Sequence, residues 1–156
     1  MDAQKINSLR EKLRILERES GGVFEGEADC CGVTTAQCHT LIEIGNRGEI
    51  SLVDLAGALG LDASTLSRTI QGLVIIGLVD RRTGDKDRRF VSIRLTEQGR
   101  KTLDEIETRN NAFYDKVVDL LPENRRDAIL EAVGEFVDAV TRMNDETGCC
   151  RKGRRP

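Results

Sequence analysis

The feature that most constrains this chain is a change of hydrophobic period between residues 51 and 95. Two short helices are predicted first: Ser51 begins a capping box for one, and Asp62 is suited to cap the next. A short turn containing Gly60 joins them, which is the pattern of a helix-turn-helix. After Gly77, apolar and polar residues alternate, which predicts a β-hairpin directly behind the second helix.

Long amphipathic helices are predicted on both sides of this segment. Their expected ranges are 3–19, 34–46, 97–120 and 123–144, with a loop over 20–33 because Gly21 and Gly22 are expected to end the first helix. A small helix-turn-helix core offers too little surface to cover these apolar stripes, so a second copy of the chain is the expected partner. The expected fold class is mainly α with a small β-hairpin wing (α+β), a winged helix-turn-helix with long terminal dimerisation helices.

Composition limits the functions available to the chain. At 156 residues, with 38% hydrophobic and 33% charged, it reads as one soluble domain. Aromatic residues are 3% and Trp is absent, which excludes a base-stacking platform for single-stranded nucleic acid. The net charge is −3, yet residues 67–101 carry nine basic and four acidic side chains. A basic island in an acidic chain indicates a phosphate backbone as the partner.

The second helix of the pair has an outward face suited to DNA. With Leu66 facing inward, Ser64, Arg68 and Gln71 point the opposite way, while Thr65 and Ser67 lie on the flanks. Arginine can donate to guanine, and glutamine can pair with adenine in the major groove. Recognition of double-stranded DNA is therefore the favoured interpretation of this face, with an ordinary solvated face as the alternative.

Four segments together resemble the MarR family of winged-helix regulators. They are residues 59–68 (LGLDASTLSR), 77–81 (GLVDR), 87–89 (DRR) and 95–99 (LTEQG), and the resemblance spans residues 3 to about 144. It implies a homodimer, joined through its terminal helices, on a pseudo-palindromic operator. It also implies that a wing arginine, Arg88 or Arg89, reaches the minor groove, with Asp87 bracing it. The chain departs from the family at residues 84–86, where an acidic-Pro turn is common.

The implied division of the chain has four parts. They are 1–46, N-terminal helices for dimerisation and a sensing loop; 47–96, the DNA-binding winged helix-turn-helix lobe; 97–145, C-terminal dimerisation helices; and 146–156, a mobile tail rich in Cys and Arg.

Five cysteines suggest a sensor. Cys30, Cys31 and Cys38 lie within nine residues, beside His39, and the far tail carries Cys149 and Cys150. Adjacent cysteines form a mutual disulfide only with strain, so these pairs look like soft donors for a thiophilic ion. Arsenic or antimony is the first expectation and zinc the second, with His39 as a possible fourth donor. A buried, inert Cys38 is the structural alternative.

The expected function is a dimeric sequence-specific transcriptional regulator, a repressor released when its cysteines bind a metal or metalloid. Cysteine oxidation or a small organic inducer are alternative signals, and a thiol or metal-handling protein is the non-regulator alternative. No cofactor is expected for DNA binding, and no enzyme activity, because the sequence shows neither a C-x-x-C motif nor paired catalytic carboxylates. Without a visible signal peptide or membrane span, a cytoplasmic location is expected.

Overall fold

A computed structural model describes residues 2–83 and 91–147, except for the side chains of residues 21–31, 83, 145 and 147. The helices are α1 (Ala3–Cys31), α2 (Thr35–Arg47), α3 (Leu52–Ala58), α4 (Ala63–Ile75), α5 (Glu97–Asp119) and α6 (Arg126–Thr147), with a 3-10 turn at Glu123–Arg125 before α6. The strands are β1 (Ile50–Ser51), β2 (Val79–Thr83) and β3 (Val91–Leu95), paired antiparallel in the order β1-β3-β2. The predicted class, mainly helical with a small antiparallel sheet, is confirmed.

The chain separates into two compact units, with the boundary inside α5 after Glu107. The first unit contains the hydrophobic core, which is built from α2, α3, α4, the sheet and the first turns of α5. In this core the predicted inward residues of α4, Leu66, Ile70 and Leu73, are fully buried. No helix in the described part of the chain is long and apolar enough to cross a membrane.

Three predicted helix starts are confirmed by their capping bonds. The Thr34 hydroxyl accepts from the Gln37 N–H, and the Gln37 side chain accepts from the Thr34 N–H, which closes the predicted capping box of α2. Ser51 caps α3 by accepting from the N–H of Asp54, and Asp62 caps α4. Each bond satisfies a backbone donor that has no partner inside the helix, so local sequence alone fixes these boundaries.

The predicted loop at 20–33 is wrong. Helix α1 continues through Gly21 and Gly22 to Cys31 and ends at Gly32, whose left-handed φ of 68° suits a C-cap. Glycine inside a helix costs only about 1 kcal/mol relative to alanine, and no proline follows to enforce a stop. A consequence is that the backbone of Cys30 and Cys31 lies in the last turn of α1, instead of a loop leading into α2.

The sequence also missed strand β1. Its two residues pair with β3, Ile50 with Ile93 and Ser51 with Ser92, and extend the predicted hairpin to three strands. Two residues are too short to show a period of two, and Ser51 was recognised only by its capping role. This strand connects the end of α2 to the sheet, so the hairpin is attached to the helical core on both sides.

Hydrogen bonds of Thr96 join the segment after α4, the hairpin and the start of α5 at one corner of the fold. The Thr96 N–H donates to Leu78 O at 3.0 Å, and its hydroxyl donates to Gly77 O at 2.8 Å. The same hydroxyl accepts from the N–H of Gly99 at 2.9 Å and so caps α5. A Cβ on Gly99 would lie 1.9 Å from Leu78 O, so only glycine permits this approach.

Gly99→Ala is therefore expected to destabilise the fold. The new methyl would collide with backbone, not with a flexible side chain, and overpacking of this kind costs about 1–3 kcal/mol. Gly57→Ala in α3 is the matched control, since nothing lies within 4 Å of its Cβ position and the helix should gain up to about 1 kcal/mol. Urea unfolding at one protein concentration measures both free energies. Equal stability of the Gly99→Ala variant and the wild type would contradict the described corner.

Candidate nucleic-acid interface

The turn between α3 and α4 sets the direction in which α4 leaves the core. Gly60 adopts a left-handed φ of 61°, and the Leu61 N–H donates to Ala56 O at 2.9 Å. The chain then enters α4 at Asp62, and the apolar side of the helix packs into the core. Because the opposite side is fixed by this burial, the orientation of its polar residues is a property of the fold and not of a flexible loop.

The predicted outward face of α4 is exposed. Ser64, Thr65, Arg68 and Gln71 are all solvent-accessible, whereas Ser67 is half-buried at the flank. The stripe 64–68–71–75 continues to Ile75, whose side chain is 74% exposed. The structure therefore brings together the five α4 residues that the sequence singled out, along one side of a single rigid helix.

Asp62 organises the first turn of this face. Its carboxylate accepts from the backbone N–H groups of Ser64 and Thr65 at 3.1 and 2.9 Å. It also accepts from both hydroxyls, each at 2.6 Å. The hydroxyl protons of Ser64 and Thr65 are thus turned toward Asp62, which leaves their oxygens to act as acceptors toward an outside donor.

These bonds also control the charge of Asp62. Hydrogen bonds from the side chains of Ser64 and Thr65, followed by the Thr65 backbone bond, hold the pKa of the carboxyl well below its usual value. Asp62 therefore stays ionised at any physiological pH, and its negative charge at a helix N-terminus favours the helix dipole.

The stem of the hairpin lies directly after α4. Across its two strands, Arg94 donates to Asp80 at 3.1 Å, in the register where these residues face each other. Arg81 and Arg82 are exposed on β2. The residues predicted for the wing, Asp87, Arg88 and Arg89, lie outside the described part of the chain, so their roles stay predictions.

The cysteine cluster is less favourable for a metal than predicted. Cys38 is 1% exposed and packs in the core with Leu41 and Ile44, while His39 is exposed on the same helix. Where side chains are described, no group of three or more His, Cys, Asp or Glu residues could hold a metal ion. The side chains of Cys30 and Cys31, and all of Cys149 and Cys150, lie outside the description.

Helix polarity removes one argument for the cysteines. The expectation that a helix N-terminus favours the thiolate forms of Cys30 and Cys31 assumed a loop before α2. Both residues instead belong to the last turn of α1, so they do not lie in a loop at a helix N-terminus.

The sequence did not predict a cleft of about 460 Å³ within the first unit. It lies between the end of α2, strand β3 and the start of α5, and Ile44, Leu95 and Leu103 provide its apolar part. Arg94, Arg100, Glu49 and Asp104 are among its charged residues. Three separate segments form it, so the only local signal is the placement of charged side chains beside core positions on β3 and α5.

Arg94 has an unusual environment in this cleft. Its Nε is buried and, among the described residues, has no hydrogen-bond partner, although another nitrogen of the guanidinium pairs with Asp80. A buried donor without a partner is costly, and a bound acceptor would remove that cost.

Asp62→Asn should separate the capping role of Asp62 from its charge. Asparagine is an equally good N-cap, so its melting temperature at pH 7 should stay close to that of the wild type, whereas Asp62→Ala should melt lower. Because folding lowers the pKa of Asp62, its stabilisation is present above the unfolded value of about 3.9 and is lost as the pH falls below it. The acid-induced fall in melting temperature should therefore be shallower for Asp62→Asn than for wild type. Identical acid profiles, or a normal melting temperature for Asp62→Ala, would contradict this account.

Comparisons of the sequence with protein families and with known proteins both find MarR-type transcriptional regulators. The MarR family model matches residues 33–91. HTH-type transcriptional regulator BilQ of Clostridium symbiosum is 27% identical over 111 residues, which cover 69% of this chain and 77% of BilQ.

Solved structures share the fold. A MarR transcriptional regulator from Methanosarcina mazei Go1 superposes with a TM-score of 0.77 at 21% identity, over 88% of this chain and 99% of that one. A mutant MarR from E. coli, complexed with operator DNA, gives a TM-score of 0.70 at 22% identity with the same coverage of both chains. The family match lies inside the winged helix and the fold is shared over most of the chain, so this chain is similar to the MarR family of winged-helix transcriptional regulators.

Proposed function

We propose that the chain is a dimeric repressor that reads its operator with the outward face of α4. The observation that carries the proposal is the exposed stripe of Ser64, Arg68 and Gln71 on a helix whose other side is fully buried. Such a rigid polar face fits the major groove, which is about 12 Å wide and admits one α-helix. The E. coli MarR complexed with operator DNA shows a protein of this fold on such a duplex.

The residues of the outward face of α4 differ in the hydrogen bonds that they can make to bases. Arg68 can donate twice to guanine, and Gln71 can both donate to and accept from adenine. The oxygens of Ser64 and Thr65, whose protons are turned toward Asp62, suit amino donors on a base edge. Arg88 or Arg89 is proposed to enter the neighbouring minor groove, with Asp87 bracing it, as the family resemblance implies.

Exposed apolar surface on the terminal helices supports a dimer. On α1, Ile6, Leu9 and Leu13 are 36–38% exposed and Leu16 is 62% exposed. On α6, Val133, Phe136, Val137, Val140 and Met143 are exposed in the same way. Stripes of this size are rarely left in water by a soluble protein. A second copy would cover these stripes. It would also relate the two α4 helices by a two-fold axis, as a palindromic operator requires.

The signal that releases the operator is proposed to act through cysteines 30, 31, 149 and 150. The support is the presence of two adjacent pairs, which are poor internal staples but good soft donors. Cys38 is assigned to the core because of its burial. The described residues alone do not fit a metal site, so no ligand geometry is derived for arsenite, antimonite or zinc.

A second candidate signal is a small organic anion in the cleft. The observation that favours it is Arg94, which lies in the cleft with a buried donor that lacks a partner. Arg94 also pairs with Asp80 at the base of the hairpin, so an anion that drew Arg94 away would loosen the stem of the wing. A ligand in this position could therefore change DNA affinity without touching the DNA surface.

Arg68→Ala is expected to relax base preference at one position of each half-site. Loss of a bidentate contact costs about 1–3 kcal/mol of discrimination. The assay is binding to a duplex selected from random DNA by the wild type, with single-base variants at each position. Arg125→Ala, which removes one positive charge outside the DNA-binding lobe, is the control and should keep the wild-type profile. An unchanged base profile for Arg68→Ala would contradict the placement of α4.

Phe136→Glu is expected to break the dimer. It would place a charge in the apolar stripe of α6, and burial of an unpaired charge in an interface is strongly unfavourable. Arg142→Glu introduces the same residue on the charged side of α6, about 240° around the helix from Phe136, and should leave the dimer intact. Sedimentation velocity at micromolar concentration distinguishes the states. A folded wild-type monomer, or an intact Phe136→Glu dimer, would rule out this interface.

The variant with Ser at positions 30, 31, 149 and 150 should bind the operator normally but ignore arsenite, zinc and peroxide. Cys38→Ala is the matched control and should respond as the wild type does, because its thiol is buried. Release of the operator from the fourfold variant by these agents would show that the cysteines do not carry the signal. Release of the same variant by an organic acid alone would favour the cleft instead.

A further inference from the structure

Two neighbouring arginines lie at the stem of the hairpin, outside the outward face of α4. Arg81 and Arg82 are both exposed on β2. Neither side chain makes a hydrogen bond or an ion pair with another described residue, and the nearby Asp80 pairs with Arg94. An exposed guanidinium that has no acidic partner in the described part of the chain can bind an external anion.

Strand register places the two arginines on opposite faces of the sheet. Arg81 pairs with Ile93, and Val79 pairs with Leu95, and these three apolar partners are buried. Alternation along a strand therefore puts Arg81 on the helix-covered face, past the edge of the core. Arg82 lies on the other face, together with Asp80 and Arg94.

The helix-covered face is the one that adjoins α4. Helix α4 contacts β2 directly, and the Leu78 N–H donates to Leu73 O at 2.9 Å; only three residues, 76–78, connect the helix to the strand. A duplex along the outward stripe of α4 has a phosphate strand on each side of that stripe, since the major groove is only about 12 Å wide. Strand β2 borders the C-terminal end of α4, so it would lie beside one of these phosphate strands in such a complex.

We propose that Arg81 binds a backbone phosphate at the edge of the major groove and thereby fixes the register of α4 on the duplex. The inference rests on the proposed DNA-binding function. Arg82, on the opposite face of the same strand, makes no such contact. Arg81 is thus a positioning residue, because a phosphate contact orients the protein but carries no sequence information.

Salt dependence distinguishes a phosphate contact from general attraction. The variants are Arg81→Gln, which keeps the aliphatic stem, Arg81→Lys, which keeps the charge, and Arg82→Gln as the matched control. The probe is a duplex selected from random DNA by the full-length wild type. Arg81→Gln should bind about a hundredfold more weakly near physiological salt, because each of the two protomers loses a charge-assisted hydrogen bond worth about tenfold. Its slope of log K against log salt should shrink by about 1.8, because the dimer loses two phosphate contacts and each contributes about 0.9.

The other variants define the alternative outcomes. Arg81→Lys should retain the slope, Arg82→Gln should retain both slope and affinity, and the base preference of Arg81→Gln should match the wild type. An unchanged slope for Arg81→Gln, or an equal loss for Arg82→Gln, would overturn the inference while leaving the DNA-binding function intact. If the wild type selects no duplex at all, the proposed function itself fails.

Discussion

Burial of one side of α4 is the interaction on which the remaining structure depends. Leu66, Ile70 and Leu73 are removed from water completely, each gaining about 1.5–3 kcal/mol of transfer free energy. Their spacing of three and four residues fixes the rotation of the helix about its axis, so the polar stripe faces outward by necessity. Asp62 then determines where the helix begins and holds the first two hydroxyls of that stripe in place.

A second constraint joins this helix to the elements that follow it. Thr96 bonds to Gly77 and Leu78 on the segment that leaves α4, and the same side chain caps α5 through Gly99. The start of α5 is consequently fixed against the base of the hairpin. The cleft adjoins β3 and the start of α5. Arg94, which lines the cleft, also pairs with Asp80 in the stem of the hairpin. Arg94 therefore connects the cleft to the stem of the hairpin.

Local signals predicted the DNA-binding lobe well because each relies on residues close in sequence. The capping boxes, the left-handed glycines at 60 and 77 and the α4 stripe require no knowledge of distant contacts. The prediction for the end of α1 was wrong because it also relied on local residues alone. A glycine inside a helix costs only about 1 kcal/mol, so Gly21 and Gly22 do not end the helix. Strand β1, the cleft and the burial of Cys38 depend on tertiary packing, which no local pattern reports. The roles of Asp87, Arg88 and Arg89 remain predictions.

Dimethyl sulfate protection on a selected operator tests the central claim most directly, because it separates guanine N7 in the major groove from adenine N3 in the minor groove. If α4 of each protomer occupies the major groove, protected guanines should fall into two clusters centred about 10–10.5 base pairs apart, or a multiple of that spacing. Protection of adenine N3 should appear only where the hairpin approaches, outside those clusters. Protection of adenine N3 alone, or a single unpaired guanine cluster, would contradict the account.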